Sequence, residues 1–250
     1  MSILLALLAL MASGSQTTQE TSPGLLVFSH STGWRHASIP AGVEALEALG
    51  EREGFRGIVS EDPDVFSPDS LAGIDVVLLL NTTSDAKKQD SEWFTGERRA
   101  AFQTFVRRGG GVVGIHGASD SHYGWPWYGA MIGGRFESHP EGLPMGTLTV
   151  VDADDPSTTS LPRTFDRVDE WYYIQDFDPR VHLLLTVDPA SIGETDVNPN
   201  PISWRHEHDG GRVFYTAMGH SDDSYQDPFF LDHVAGGLRW AAGLTEPVSE

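Results

Sequence analysis

The sequence predicts an α/β domain on a mainly parallel sheet, with a second half made chiefly of strands. Two observations predict it. Between Leu25 and Ile115, short unbroken apolar runs alternate with longer stretches of helical period, the pattern of βαβ crossovers. Beyond Ser138, strand-like segments follow one another with no helix between them.

Leu25–Phe28 is wholly apolar, the mark of a strand buried on both faces. A polar loop from Ser29 to Ser38 leads to Pro40, which opens a helix with Val43, Leu46 and Leu49 at helical spacing and Gly54 at its end. Arg56–Ser60 reads as a second strand. Asp75–Asn81 reads as a third, strongly apolar and so central. Thr95 is placed to cap a helix running to Arg108, with Phe102, Phe105 and Val106 on one face. Its basic last turn suits the negative end of the helix dipole. Gly109–Gly111 stop that helix, and Val112–Ile115 is the fourth buried strand. Gly146–Val151, Val181–Val187, Pro201–Arg205 and Arg212–Thr216 read as further strands, the last two joined as a hairpin by His208–Gly211. Phe229–Ala242 closes the chain as an amphipathic helix with Leu231, Val234, Leu238 and Trp240 on its buried side. No repeat, low-complexity tract or linker interrupts this order, so residues 23–245 are expected to form a single domain.

Composition removes several function classes. Sixteen Lys+Arg against 36 Asp+Glu give a net charge of −20, which repels phosphate backbones and anionic headgroups. Nucleic acid is therefore not an expected partner. The chain has no cysteine, which excludes disulfides, thiolate metal sites and cysteine nucleophiles. Ile3–Met11 is apolar but too short to span a bilayer. It is followed by the small residues Ala12–Ser15, so residues 1–22 are expected to be a signal peptide and flexible N-terminus, cleaved after Gly14. Export to the periplasm or beyond follows, with a frayed cytoplasmic N-terminus as the alternative. No membrane span is expected in the mature chain.

In open parallel sheets, ligands bind beyond the carboxyl ends of the strands. That rule gathers Ser29–His36, Asn81–Thr83, His116–Asp120 and Gly219–Asp222. Four of the ten histidines (His30, His36, His116, His220) share this address. Gly114–Ala118 has the shape of a nucleophile elbow with histidine at its tip, and no G-x-S-x-G occurs. A histidine so presented suits a general acid/base or a metal ligand. His139, Asp169 and Glu170 add groups that could complete a zinc-like site, although no tight ligand spacing such as H-E-x-x-H is present. His206-Glu207-His208 reads as a solvated hairpin tip. Trp34, Trp125, Trp127, Tyr128, Trp171, Tyr172 and Tyr173 fall near the same loops. Flat apolar rings among polar groups suit a sugar.

Phe28–His36, Gly109–His116, Trp127-Tyr128 with Gly133–Phe136, Asp169–Tyr172, Pro201–Trp204 and Gly211–His220, in this order, resemble the ThuA-like (trehalose utilisation) family. The resemblance covers roughly Leu25 to Gly243. It implies the class I glutamine amidotransferase-like fold, a three-layer α/β/α sandwich, and a link to carbohydrate metabolism through disaccharides or their keto forms. The elbow position that carries cysteine in the amidotransferases is His116 here, so thioester-based glutamine hydrolysis is not expected.

The expected function is action on a sugar or keto-sugar by histidine acid/base or metal-assisted chemistry. His116, His220, Glu170 and His139 are the catalytic candidates. His30, Trp34, Arg35, His36, Asn81, Trp127 and Trp171 are the substrate-binding candidates. His116 and His220 are alternatively ligands of a divalent metal such as zinc. The competing reading is a non-catalytic sugar-binding or scaffolding module, and a weaker third is a metal-dependent amidase-type hydrolase. The expected partner is a small-molecule carbohydrate.

Overall fold

In the computed structural model, which describes residues 22–195 and 200–244, unbroken apolar runs become strands covered on both sides. The order is β1 (Gly24–Phe28), α1 (Ile39–Arg52), β2 (Arg56–Ser60), β3 (Val76–Leu80), α2 (Gly96–Arg107), β4 (Gly111–Ile115), α3 (Pro126–Ile132), β5 (Arg135–Ser138), β6 (Met145–Val150), β7 (Thr164–Val168), β8 (Tyr173–Gln175), β9 (His182–Val187), β10 (Asn200–His208), β11 (Gly211–Thr216) and α4 (Pro228–Ala241). Every residue of β1, β3 and β4 is buried, as their apolar composition requires. The expected signal peptide lies outside the described residues, apart from its last position. Among the described residues no helix is long and apolar enough to cross a membrane.

Nine strands form one sheet in the order β2-β1-β3-β4-β11-β10-β9-β6-β7. From β2 to β11 all pairs are parallel, and from β11 to β7 all are antiparallel. The predicted parallel sheet is thus the first half of this sheet, and the predicted β-rich segment is its antiparallel extension. Alternation along the strands gives the layers. Gly111 of β4 abuts Ala241 of α4, whereas Gly114 abuts Ile132 of α3. Helices α1 and α4 therefore cover one face, and α2 and α3 the other. This is the predicted three-layer α/β/α sandwich. The chain leaves β1 toward β2 on one side and returns to β3 on the other, which opens a crevice at their carboxyl ends.

The structure corrects some details. His206-Glu207-His208 is no hairpin tip but the end of β10, with Glu207 and His208 paired to Arg212 and Gly211. The turn shrinks to Asp209-Gly210, both left-handed (φ 50° and 99°), the conformation a two-residue hairpin of this twist needs. Thr95 precedes α2, but its side chain makes no capping hydrogen bond. The segments α3, β5, β7 and β8 are not predicted, since each is too short to show a period.

Candidate functional site

The floor of the site is set by two parallel neighbours. β4 ends at Ile115, and His116 turns out of it in the left-handed region (φ 46°), a conformation that strains a non-glycine backbone. The His116 Nδ1–H donates to the carbonyl of Ala217 at 2.7 Å, which leaves Nε2 bare and aimed into the crevice. On β11's side, Gly219 (φ 115°) bends the chain so that His220 folds back over His116. A β-carbon at Gly219 would lie 2.9 Å from Ile115 Cγ2.

Asp169 fixes the third wall. It is fully buried, and its carboxylate accepts the backbone N–H groups of Glu170, Gly219 and His220 at 3.0, 3.1 and 3.1 Å. Arg167 donates to it at 3.0 Å. The Ser38 hydroxyl adds a bond to the carbonyl of His220 at 2.6 Å. Three chain segments far apart in sequence are thereby clamped around one point.

At that point the His116 Nε2 and His220 Nδ1 atoms are 3.2 Å apart, and each approaches Glu170 Oε2, at 3.3 and 3.2 Å. His139 Nε2 lies 3.5 Å from Glu170 Oε1. The His36 ring stands edge-on to those of His116 and His220, with centroids 4.9 and 5.3 Å away. Its Nδ1 is buried without a hydrogen-bond partner. One donor atom from each of His36, His116, Glu170 and His220 lies within 4.8 Å of the others, so this set could hold a metal ion. Above it opens a cavity of about 530 Å³, lined by Trp34, His36, Asp120, Phe136, His139, Gly142, Leu143, Glu170, Tyr172 and His220.

The charges are strongly biased. Burial opposes ionisation of Glu170, but the adjoining His116 and His220 imidazoles overcome it and hold its carboxyl far below the usual range. The hydrogen bond to Glu170 in turn raises His220, against the effect of burial. Burial, reinforced by the neighbouring His116 and His220, lowers His36 to about 3. Asp120 goes the other way. Burial lifts it to about 6 even though the Tyr123 hydroxyl donates to its Oδ1 at 2.5 Å.

Of the residues singled out in the sequence, His116, His220, Glu170 and His139 meet in this cluster, and Trp34 and His36 line the cavity. The other five substrate-binding candidates do not. His30 Nδ1 meets the carbonyl of Glu61 and its ring stacks on Phe28, and Arg35 pairs with the Glu61 carboxylate at 2.7 Å. Asn81 is buried, donating toward Ser38, Gly219 and Tyr225 and accepting from Gly117, so it braces the strand ends. Trp127 bonds to Asp209 at the opposite end of the strands. Trp171 is buried, with its indole N–H on the carbonyl of Pro144. Sequence reasoning gave no role to Asp120 or Phe136, nor an individual one to Tyr172, whose ring lies 4.1 Å from that of His116. Alternation was the available signal, since it turns Trp171 inward and Tyr172 toward the site.

The fold has close counterparts among solved structures. A ThuA-like protein from Bacteroides uniformis is 22% identical, covering 91% of this chain and 95% of its own, with a TM-score of 0.72. Another from Parabacteroides merdae is 18% identical, covering 91% and 93%, at 0.73. A Thermoplasma acidophilum protein described as part of a GMP synthase is 11% identical, covering 88% and 95%, at 0.54. No curated protein matches this chain. Residues 24–241 match the ThuA family, described as trehalose utilisation, and the chain belongs to that family, with a role in carbohydrate metabolism.

Proposed function

We propose that this chain takes a sugar or keto-sugar into the cavity and moves a proton beside its carbonyl, as in an isomerisation or elimination. One observation carries the reading: three imidazoles and a carboxylate converge in a cavity also lined by the rings of Trp34, Phe136 and Tyr172. The ring faces suit the apolar side of a sugar and the polar floor suits its oxygens. His220 donates an N–H to a substrate oxygen, while the His116 Nε2 lone pair and the Glu170 carboxylate accept from its hydroxyls. His139 and Asp120 flank the cavity and carry protons, with Asp120 near neutrality because burial raises it to about 6. The family's description as trehalose utilisation supports a disaccharide or its keto form as substrate. We also propose export of the mature chain, on the apolar Ile3–Met11 run and the small residues after it. N-terminal sequencing of the secreted fraction tests this.

The test of the main reading is to incubate the chain with disaccharides and their keto forms in D₂O and follow C–H exchange and products by NMR. Exchange that Asp120→Asn and His116→Ala lower by about 100-fold or more supports it. Sugar binding with no exchange or turnover converts the reading to a non-catalytic sugar-binding module, and no binding at all removes it.

A further inference from the structure

We propose that His36, His116, Glu170 and His220 form a binding site for one divalent cation of the zinc type. The site lies in the cavity described above, but the inference does not depend on the sugar reading.

The bond from His116 Nδ1–H to the Ala217 carbonyl makes the neutral ring an acceptor at Nε2. Glu170 Oε2 is an acceptor as well. These two atoms lie 3.3 Å apart, and His220 Nδ1 lies 3.2 Å from each. A single N–H on His220 can satisfy one of them and leaves the other facing a lone pair. A cation at the centre of the three satisfies all of them.

The dimensions agree. For metal–nitrogen and metal–oxygen bonds of about 2.0–2.1 Å, the edge of a tetrahedron is about 3.3–3.4 Å. The three observed edges are 3.2, 3.2 and 3.3 Å. His36 adds a fourth donor within 4.8 Å of the other three, and its buried Nδ1 has no hydrogen-bond partner, an independent sign that a ligand is wanted there. The supports also match a ligand site. His116 is oriented through its second nitrogen by a backbone carbonyl, and His220 is held through its backbone by Asp169. Imidazole and carboxylate together suit zinc in a chain that has no thiolate to offer.

A second grouping, Asp152, Asp155 and His182, is the natural competitor. Its oxygens are already committed. Asp155 accepts from Ser157 and from the Arg205 guanidinium, and Asp152 accepts from Asp154 and meets His182. A cation there would have to displace Arg205.

The experiment strips the purified full chain with a chelator and titrates it with zinc alone, using calorimetry together with elemental analysis of the washed protein. About one equivalent is expected to bind. His116→Ala and Glu170→Gln are each expected to weaken binding by more than about 100-fold, while His182→Ala leaves it unchanged. His36→Gln, a milder change, covers the case in which His116→Ala does not fold. Failure of the wild-type chain to bind zinc saturably overturns the inference, as does binding that survives Glu170→Gln and His36→Gln or that disappears in His182→Ala. Sugar binding by a chain that takes up no zinc would sink this inference and leave the proposed function standing.

Discussion

The carboxylate of Asp169 accepts the backbone N–H of His220 at 3.1 Å, and through that bond the position of one residue in the polar cluster is set by the neighbour of another, Glu170. Asp169 touches none of the cavity-lining imidazoles through its own side chain. It acts as a positioning residue.

Replacing it separates position from charge. Asp169→Ala removes one carboxylate partner of Arg167 and the acceptor of three backbone N–H groups, and it should destabilise the fold by about 3–5 kcal/mol. Asp169→Asn keeps the shape and some of the hydrogen bonds and should cost about 1–3 kcal/mol. Chemical denaturation measures both. Sugar affinity in the Asn variant should fall while the fold remains, and an unchanged affinity would refute the positioning role.

Trp34 and Trp127 form a matched pair. Trp34 is 71% exposed at the cavity mouth, whereas Trp127 is bonded to Asp209 and stacked on Trp125. Trp34→Ala should weaken sugar binding by about 2- to 10-fold, the worth of one aromatic contact, with little change in stability. Trp127→Ala should lower thermal stability and leave sugar affinity alone. Calorimetry and a melting curve on each variant decide the matter.

Gly219→Ala tests the bend that returns His220. Its φ of 115° disfavours any side chain, and the added carbon would meet Ile115. A loss of about 1–3 kcal/mol is expected, with weaker sugar binding, because the turn must move. Denaturant midpoints and a binding isotherm provide the check.

Acid should weaken the fold through two interior histidines outside the cluster. Burial lowers His233 to about 4 and His122 to about 3. Both are neutral when folded, while the unfolded chain takes up a proton near the ordinary value of about 6.5. The unfolded state therefore binds more protons below that point, and stability falls as pH drops from about 6.5 toward 4. Each group contributes a loss of about 2 kcal/mol between pH 7 and 5. His233→Gln should flatten the pH dependence of the denaturant midpoint over that range, and an unchanged slope would refute the assignment.

Much of this was legible in the sequence. Buried runs such as Val76–Leu80 announce themselves because both faces are apolar, and the strand-end rule then located His116 and His220 together. The aromatic residues were harder. Trp127 and Trp171 read as ring platforms because composition cannot say which side of a loop or helix faces the ligand. Trp127 leaves on a short helix toward the far end of the sheet, and Trp171 turns into the core beside Gly146. Asp120 escaped for the opposite reason, since an ordinary carboxylate becomes chemically apt only through the burial that tertiary contacts impose.

The cavity is shared between the two halves of the chain. His36, His116 and Asp120 follow β1 and β4 of the parallel sheet, and His139, Glu170 and Tyr172 flank β5 and β8, which pair as a separate two-stranded ladder. Neither half alone can assemble the pocket, so a fragment ending before β5 would be inert however well it folded. The same division lets the wall around β5 and β8 be remodelled for a differently shaped guest while the floor keeps its chemistry.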